Sequence, residues 1–119
     1  KSVLVYLNIF SDGTEETDYI VYDASVDSLP VTTTSKIMRL WYSINAVEGA
    51  TGARLQLEWD ATTDLQALAL PTGSGYLDFR SIGGLLNQAG AGITGDITLT
   101  TTGLINTDVI TLVLEVNSQ

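Results

Sequence analysis

The sequence predicts an all-β fold: a single antiparallel β-sandwich of about eight strands, jelly-roll or immunoglobulin-like, filling residues 1–119 as one domain. Three observations predict it. Apolar residues recur with a period of two along most segments. Turn signals separate these segments at the intervals a sandwich needs. A chain of 119 residues, 45% of them hydrophobic, can bury a core that needs no covalent staples. The two sandwich types fit this pattern equally well.

The elements follow in order. Lys1 to Phe10 alternates Val3, Val5, Leu7 and Ile9 against Leu4, Tyr6, Asn8 and Phe10. Both sets are largely apolar, so the strand is expected to be covered on both sides or to lie at an interface. It has no small-residue cleavage site and reads as a strand, not a signal peptide. Asp12-Gly13 marks a turn, and Tyr19 to Tyr22 a second short strand. Residues 24–35 read as a polar connection in which Pro30 biases Leu29 away from helix. Lys36 to Val47 is the longest strand, with Met38, Leu40, Tyr42, Ile44 and Ala46 on the expected core face. Glu48 to Gly52 reads as a hairpin loop. Ala53 to Asp60 alternates most cleanly, with Leu55, Leu57 and Trp59 opposite Arg54, Gln56, Glu58 and Asp60. Leu65 to Leu70 is short and stopped by Pro71; it reads as a strand, although Asp64 could cap a brief helix there. Pro71 to Gly75 is expected to turn, and Tyr76 to Arg80 alternates again. Ser81 to Gly95 holds five of the eleven glycines and reads as a long loop, with a helical turn near Leu85 to Gln88. Asp96 to Thr101 and Asp108 to Val116 close the chain as strands.

Charge narrows the function. Fourteen acidic residues against five basic ones give −9. So few cations cannot displace the counterions around phosphates, so no nucleic-acid partner is expected. Anionic membrane surfaces are disfavoured too, and no apolar run approaches the ~18–20 residues that span a bilayer. An acidic surface can instead steer the chain toward a basic partner.

The chemistry is equally restricted. The chain has no cysteine and no histidine. This removes thiolate nucleophiles, the usual general base and the commonest zinc ligands. No catalytic residue, metal or cofactor is expected, and the protein reads as a non-enzyme. Glu58 and Asp60 share a strand face with backbones ~7 Å apart, a spacing a glycosidase can use, but a solvated face is the simpler reading. Asp12, Glu15, Glu16 and Asp18 offer oxygens for calcium without the spacing of an EF-hand loop, and read more simply as an acidic hairpin. Asp60 and Asp64 are expected to cap a turn. Gly73-Ser74-Gly75 and Gly83-Gly84 lack the lysine and helix of a phosphate loop. Trp41, Trp59, Tyr76 and Phe79 could line a sugar platform; at strand spacing a core role is favoured.

Four phrases in order carry a resemblance: Asp12-Gly13-Thr14-Glu15-Glu16-Thr17-Asp18-Tyr19, Leu57-Glu58-Trp59-Asp60-Ala61-Thr62-Thr63-Asp64, Gly75-Tyr76-Leu77-Asp78-Phe79-Arg80 with Gly83-Gly84, and Thr94-Gly95-Asp96-Ile97-Thr98-Leu99-Thr100-Thr101. From about residue 12 to its end the chain resembles small virion structural proteins of tailed phages of cyanobacterial and marine bacterial hosts. These are often capsid decoration, or cement, proteins. The resemblance implies a β-rich subunit on the virion's capsid exterior, bound to the major capsid protein and to itself as a homo-oligomer, with a trimer expected. It carries over no catalytic residue. The expected contacts are Val3, Val5 and Leu7 of the first strand, Arg80, Leu85 and Leu86 around the glycine-rich stretch, and Thr100 and Thr102 of the threonine run. Arg80 is a candidate anchor, with a plain surface salt bridge the simpler role. A carbohydrate-binding sandwich of a tail or fibre is the competing expectation, and a glycosidase working through Glu58 a third.

Overall fold

The structure is a computed structural model that describes residues 2–11, 13, 16–27, 34–45, 54–103 and 108–118. The period-two segments form strands β1 (Ser2–Phe10), β2 (Tyr19–Tyr22), β3 (Ser35–Asn45), β4 (Arg54–Trp59), β5 (Leu65–Pro71), β6 (Gly73–Asp78), β7 (Leu85–Leu86), β8 (Ile97–Thr102) and β9 (Val109–Ser118). One sheet runs β1-β9-β3-β6, with β7 also beside β3; the other runs β2-β8-β4-β5. Every pairing is antiparallel. With the two-residue β7 set aside, the first strand pairs with the last, the second with the second-last, the third with the third-last, and the middle two with each other. One long antiparallel ribbon is thus wrapped on itself, and β3–β9 and β4–β8 close the two sheets. Of the two sandwich types open from sequence, this is the jelly-roll order.

The core lies between the sheets. Leu55, Leu57, Trp59, Leu70, Ile97 and Leu99 fill it from one side, and Ile37, Leu40, Ile44, Ile110, Leu112, Leu114 and Val116 from the other. The alternation of β4 and β9 is as read from sequence. Leu65–Pro71 is a strand, because antiparallel pairing with β4 outweighs its local helix propensity.

Four local expectations change. In β3 the register against β9 shifts between Ile37 and Arg39, so Met38 is an extra, bulged residue. The bulge turns Ile37 into the core, fully buried, although strict alternation places it outside. Pro71 to Gly75 does not reverse the chain. It is a corner at which the chain leaves one sheet and enters the other across Thr72, with Gly73 at φ +123°. The helical turn expected at Leu85 to Gln88 lies earlier, as a 3₁₀ turn at Arg80–Ile82. Leu85 and Leu86 pair instead with Ile37 and Lys36, because β6 covers β3 only from Arg39 onward.

The fourth change is a single helical turn, α1 (Ala24–Asp27), inside the expected polar connection. The Ser25 N–H donates to Asp23 Oδ1 at 3.0 Å and the Ala24 N–H to Asp96 Oδ1 at 2.8 Å, which satisfies two donors at its start. Ala46, the hairpin loop Glu48 to Gly52, Pro30, Asp12 and Glu15 lie outside the described residues.

Two stability predictions arise here. Thr98, in the middle of β8, is 3% exposed and its hydroxyl has no partner among the described residues. Thr98→Val keeps the shape and removes an unsatisfied polar group. It is expected to raise the unfolding free energy by about 1 kcal/mol, read from urea denaturation. The second concerns Asp96. Its pKa is raised, first by burial and then by the charges of Asp23, Asp60 and Asp27, against the opposing pull of the Ala24 N–H. A raised folded-state carboxyl pKa means the folded state binds its proton more readily than the unfolded chain does. The associated stability is therefore present at low pH and lost as pH rises from the ordinary carboxyl value through the raised one. Asp96→Asn keeps an acceptor for Ala24 and escapes this loss. It is expected to melt at or above the unsubstituted protein at pH 7, with the gap closing on acidification. A deficit at pH 7 that shrinks on acidification would instead show that Ala24 requires the charge.

Candidate interaction surface

The two outer faces of the sandwich differ in kind. Across the β2-β8-β4-β5 sheet the outward rows are mainly polar: Thr98, Glu58 and Gln66 beside the exposed Ile20 in one, with Thr100 and Gln56 in the next. Thr100 Oγ1 donates to Glu58 Oε1 at 2.8 Å and accepts the Asp18 N–H at 3.2 Å. Thr101 Oγ1 accepts the Glu16 N–H at 2.8 Å. Much of the threonine run thus ties residues 16–18 to the sheet. Thr100 spends its hydroxyl within the chain, and Thr102 is half-buried on the same face.

Across the β1-β9-β3-β6 sheet three outward rows cross four strands. The first is Leu4, Glu115, Arg39 and Asp78; the second Tyr6, Val113, Trp41 and Tyr76; the third Asn8, Thr111, Ser43 and Ser74. The outer two rows each hold an internal polar pair. Arg39 Nε meets Glu115 Oε1 at 2.7 Å, and Thr111 Oγ1 donates to Asn8 Oδ1 at 2.9 Å. The middle row is apolar and aromatic. Trp41 and Tyr76 stack with ring centroids 5.0 Å apart, and the Arg39 guanidinium sits 4.9 Å from the Trp41 ring centre. Leu4, Tyr6 and Phe10 are 65%, 69% and 77% exposed.

At the corner of this face Arg80 grips Asp78 with two bonds, Nη2 to Oδ2 at 2.7 Å and Nε to Oδ1 at 2.9 Å. Its backbone N–H adds a third to Oδ1 at 2.9 Å, and Tyr76 Oη donates to Oδ2 at 3.1 Å. The Arg80 side chain, then its N–H, hold the Asp78 carboxyl well below the usual carboxylate range. Arg80 is raised in turn, chiefly by that same bond, and Arg39 is raised chiefly by the Tyr76 hydroxyl. Asp78 therefore stays ionised under conditions that protonate ordinary surface carboxylates.

The expected contact residues are not brought together. Val3, Val5 and Leu7 face inward, half-buried against the core, because their alternation puts them opposite Val116, Leu114 and Leu112. The side chains that β1 offers outward are Leu4, Tyr6 and Phe10. Arg80, Leu85 and Leu86 lie at the opposite edge of this sheet; Leu85 is half-buried and Leu86 half-exposed. Thr100 and Thr102 lie on the other outer face. Of the four aromatics, Trp59 is core and Phe79 is partly buried against it, whereas Trp41 and Tyr76 point outward. Alternation had already placed Trp41 opposite the core set of β3.

The acidic groups also regroup. Asp18 lies with Glu58 and Asp64, their carboxylate oxygens within 4.8 Å of one another. Asp64 Oδ1 accepts the Ala61 N–H at 3.1 Å, the turn-capping role expected of it. Asp60 accepts from Thr94 Oγ1 at 2.8 Å, so Glu58 and Asp60 are each held by a separate threonine. Proximity alone does not make the trio a cation site, since exposed acidic groups commonly cluster without an ion. Among the described residues, no helix is long and apolar enough to cross a membrane. No protein-family model matches the chain, and no curated protein is similar enough to count as a relative.

Proposed function

We propose that this domain is a non-enzymatic virion structural protein that binds the outer capsid surface of a tailed-phage head and stabilises it as a decoration, or cement, subunit. The observation that carries this reading is the asymmetry of the sandwich. One outer face is mainly polar, with the Thr100 hydroxyl tied to Glu58 and to the Asp18 backbone; the other presents an exposed aromatic row and an apolar edge strand. Such a subunit suits docking by one side while the other faces solvent. A net charge of −9 favours encounter with a basic partner surface, here the major capsid protein. A contact of ~800 Å² per partner suffices for one stable site, and repetition as a homo-oligomer around a symmetric shell multiplies the effect. Jelly rolls recur in viral capsid proteins and in lectins, an analogy that supports this reading and its rival alike.

Co-sedimentation with undecorated capsids of the particle that encodes the chain tests the proposal. The intact protein is expected to saturate at a fixed stoichiometry. Trp41→Ala is expected to weaken binding at least tenfold while keeping its far-ultraviolet circular dichroism. Equal binding by both would remove the aromatic row from the mechanism.

One observation favours a second reading, a carbohydrate-binding module of a tail or fibre. Trp41 and Tyr76 are exposed together beside Arg39, Asp78, Arg80 and Glu115, so ring surface and hydrogen-bonding groups converge on one patch. Tryptophan fluorescence titrated with a panel of glycans decides it: saturable quenching lost in Trp41→Ala supports it, and a silent panel removes it.

A further inference from the structure

The two sheets have four edges, and three carry devices that discourage strand addition. β2 is four residues long, bulged between Ile20 and Tyr22, and flanked by Asp18 and Asp23. β5 has a register shift at Ala67 and ends in Pro71. β6 carries glycines 73 and 75 and ends at the Asp78 locked to Arg80. β1 has none of these. Its nine residues include no charge, proline or glycine, and its register against β9 is unbroken from Ser2 to Phe10. Among the described residues β1 pairs with β9 alone, so the outer row of backbone groups along a strand ~30 Å long is open to a further strand.

The core is also unfinished at this edge. Ile110, Leu112, Leu114 and Val116 of β9 are fully buried, yet their neighbours Ile9, Leu7, Val5 and Val3 are only half-buried. We infer that β1 is a self-association edge, on which a second copy of this chain lays its own β1 antiparallel to form a twofold dimer. For its biological setting this rests on the assembly role proposed above, and it specifies the contact that role uses.

The register of β1 selects a second copy as the occupant, and the absence of charge on the strand permits it. Two chains of −9 repel over most of their surface, and β1 is a long edge where they can meet without opposing like charges. The strand also complements itself. Pairing centred on Tyr6 sets Val3 against Ile9 and Val5 against Leu7 on the inner face, which completes the core of both copies. On the outer face it sets Tyr6 against Tyr6 and joins the two aromatic rows into one. A closed ring of three would need β1 to meet a different edge of its neighbour, and those edges are short, bulged, proline-ended or glycine-containing. The geometry therefore points to a twofold contact in place of the threefold one that the resemblance implies.

Sedimentation equilibrium of the intact chain tests this. The expected mass at micromolar concentration is about twice 12.7 kDa, with association strengthened by added salt because screening relieves like-charge repulsion. Tyr6→Lys, at an exposed position, is expected to keep its circular dichroism and to dissociate about tenfold more readily, because two lysines would stand directly opposite each other across the twofold axis. Ile82→Lys, equally exposed but on the 3₁₀ turn, is expected to leave the dimer intact. The chain has no cysteine, so single cysteines read the register. Tyr6→Cys is expected to cross-link to itself under oxidised glutathione. Leu4→Cys is expected to cross-link only when mixed with Asn8→Cys.

A monomer, a trimer, or a dimer unaffected by Tyr6→Lys would overturn the inference. Capsid binding by a strictly monomeric protein would overturn it while leaving the proposed role standing. A dimer that binds no capsid would do the reverse.

Discussion

Trp59→Ala is expected to lower the unfolding free energy by about 3–5 kcal/mol, the largest effect of any single substitution considered for this chain. Trp59 is 1% exposed and the largest of the fully buried side chains. It stands on β4, an inner strand, with Ile97 of β8 on one side and Leu65 of β5 on the other. Truncation leaves a void that cross-strand neighbours on both sides hold open, so collapse recovers little of the loss. Domains of this size commonly hold ~5–15 kcal/mol in total, so the variant sits close to its folding threshold. Urea denaturation followed by circular dichroism measures the change. Trp41→Ala is the informative contrast: at 37% exposure it gives up chiefly the Tyr76 stack, worth about 1 kcal/mol. Similar losses at the two sites would contradict the assignment of one tryptophan to the core and the other to the surface.

Gly92→Ala is expected to be the next most costly change. Gly92 lies in the connection before β8 at φ +76°, a conformation side chains rarely adopt. A Cβ there would overlap the Thr62 side chain and lie 2.9 Å from its backbone nitrogen. That nitrogen is fixed by its bond to the Ala91 carbonyl at 3.2 Å, so Thr62 cannot retreat without breaking the tie between the two loops. Gly90, two residues earlier at φ +88°, has nothing within 4 Å of the same position. Gly90→Ala is thus expected to cost about 1–2 kcal/mol from backbone strain alone. Gly92→Ala is expected to cost a further 1–3 kcal/mol or so from overlap. Equal melting temperatures for the two variants would show that the loops yield freely.

The alternation of β1, β4 and β9 was legible because each keeps a strict period of two beside a partner that does the same. Ile37 was not, because a bulge is a property of the β3–β9 pair and leaves no mark in β3 alone. β7 and the sheet-switching corner at Thr72 were hidden for a related reason: each depends on where a distant strand ends or begins. The glycine-rich stretch announced irregular backbone but not its form. For the candidate surface, the doubly apolar pattern of the first strand was the readable signal. It pointed to an interface or a covered strand, and the structure leaves its Leu4, Tyr6 and Phe10 face exposed. The aromatic row was readable only in part. Trp41 fell on the non-core side of its own strand, but its alignment with Tyr6, Val113 and Tyr76 needs the registers of three strand pairs. Thr100 and Thr102 looked like free surface groups, since sequence cannot show that Asp18 and Glu58 fold over to use the Thr100 hydroxyl.

The measurement that bears most directly on the proposed role is a cryo-electron microscopy reconstruction of capsids saturated with the purified protein. The expected result is added density at symmetry-related positions on the shell exterior, with the face bearing Tyr6, Trp41 and Tyr76 buried and the polar threonine face toward solvent. Bare capsids in the presence of excess folded protein would contradict that role.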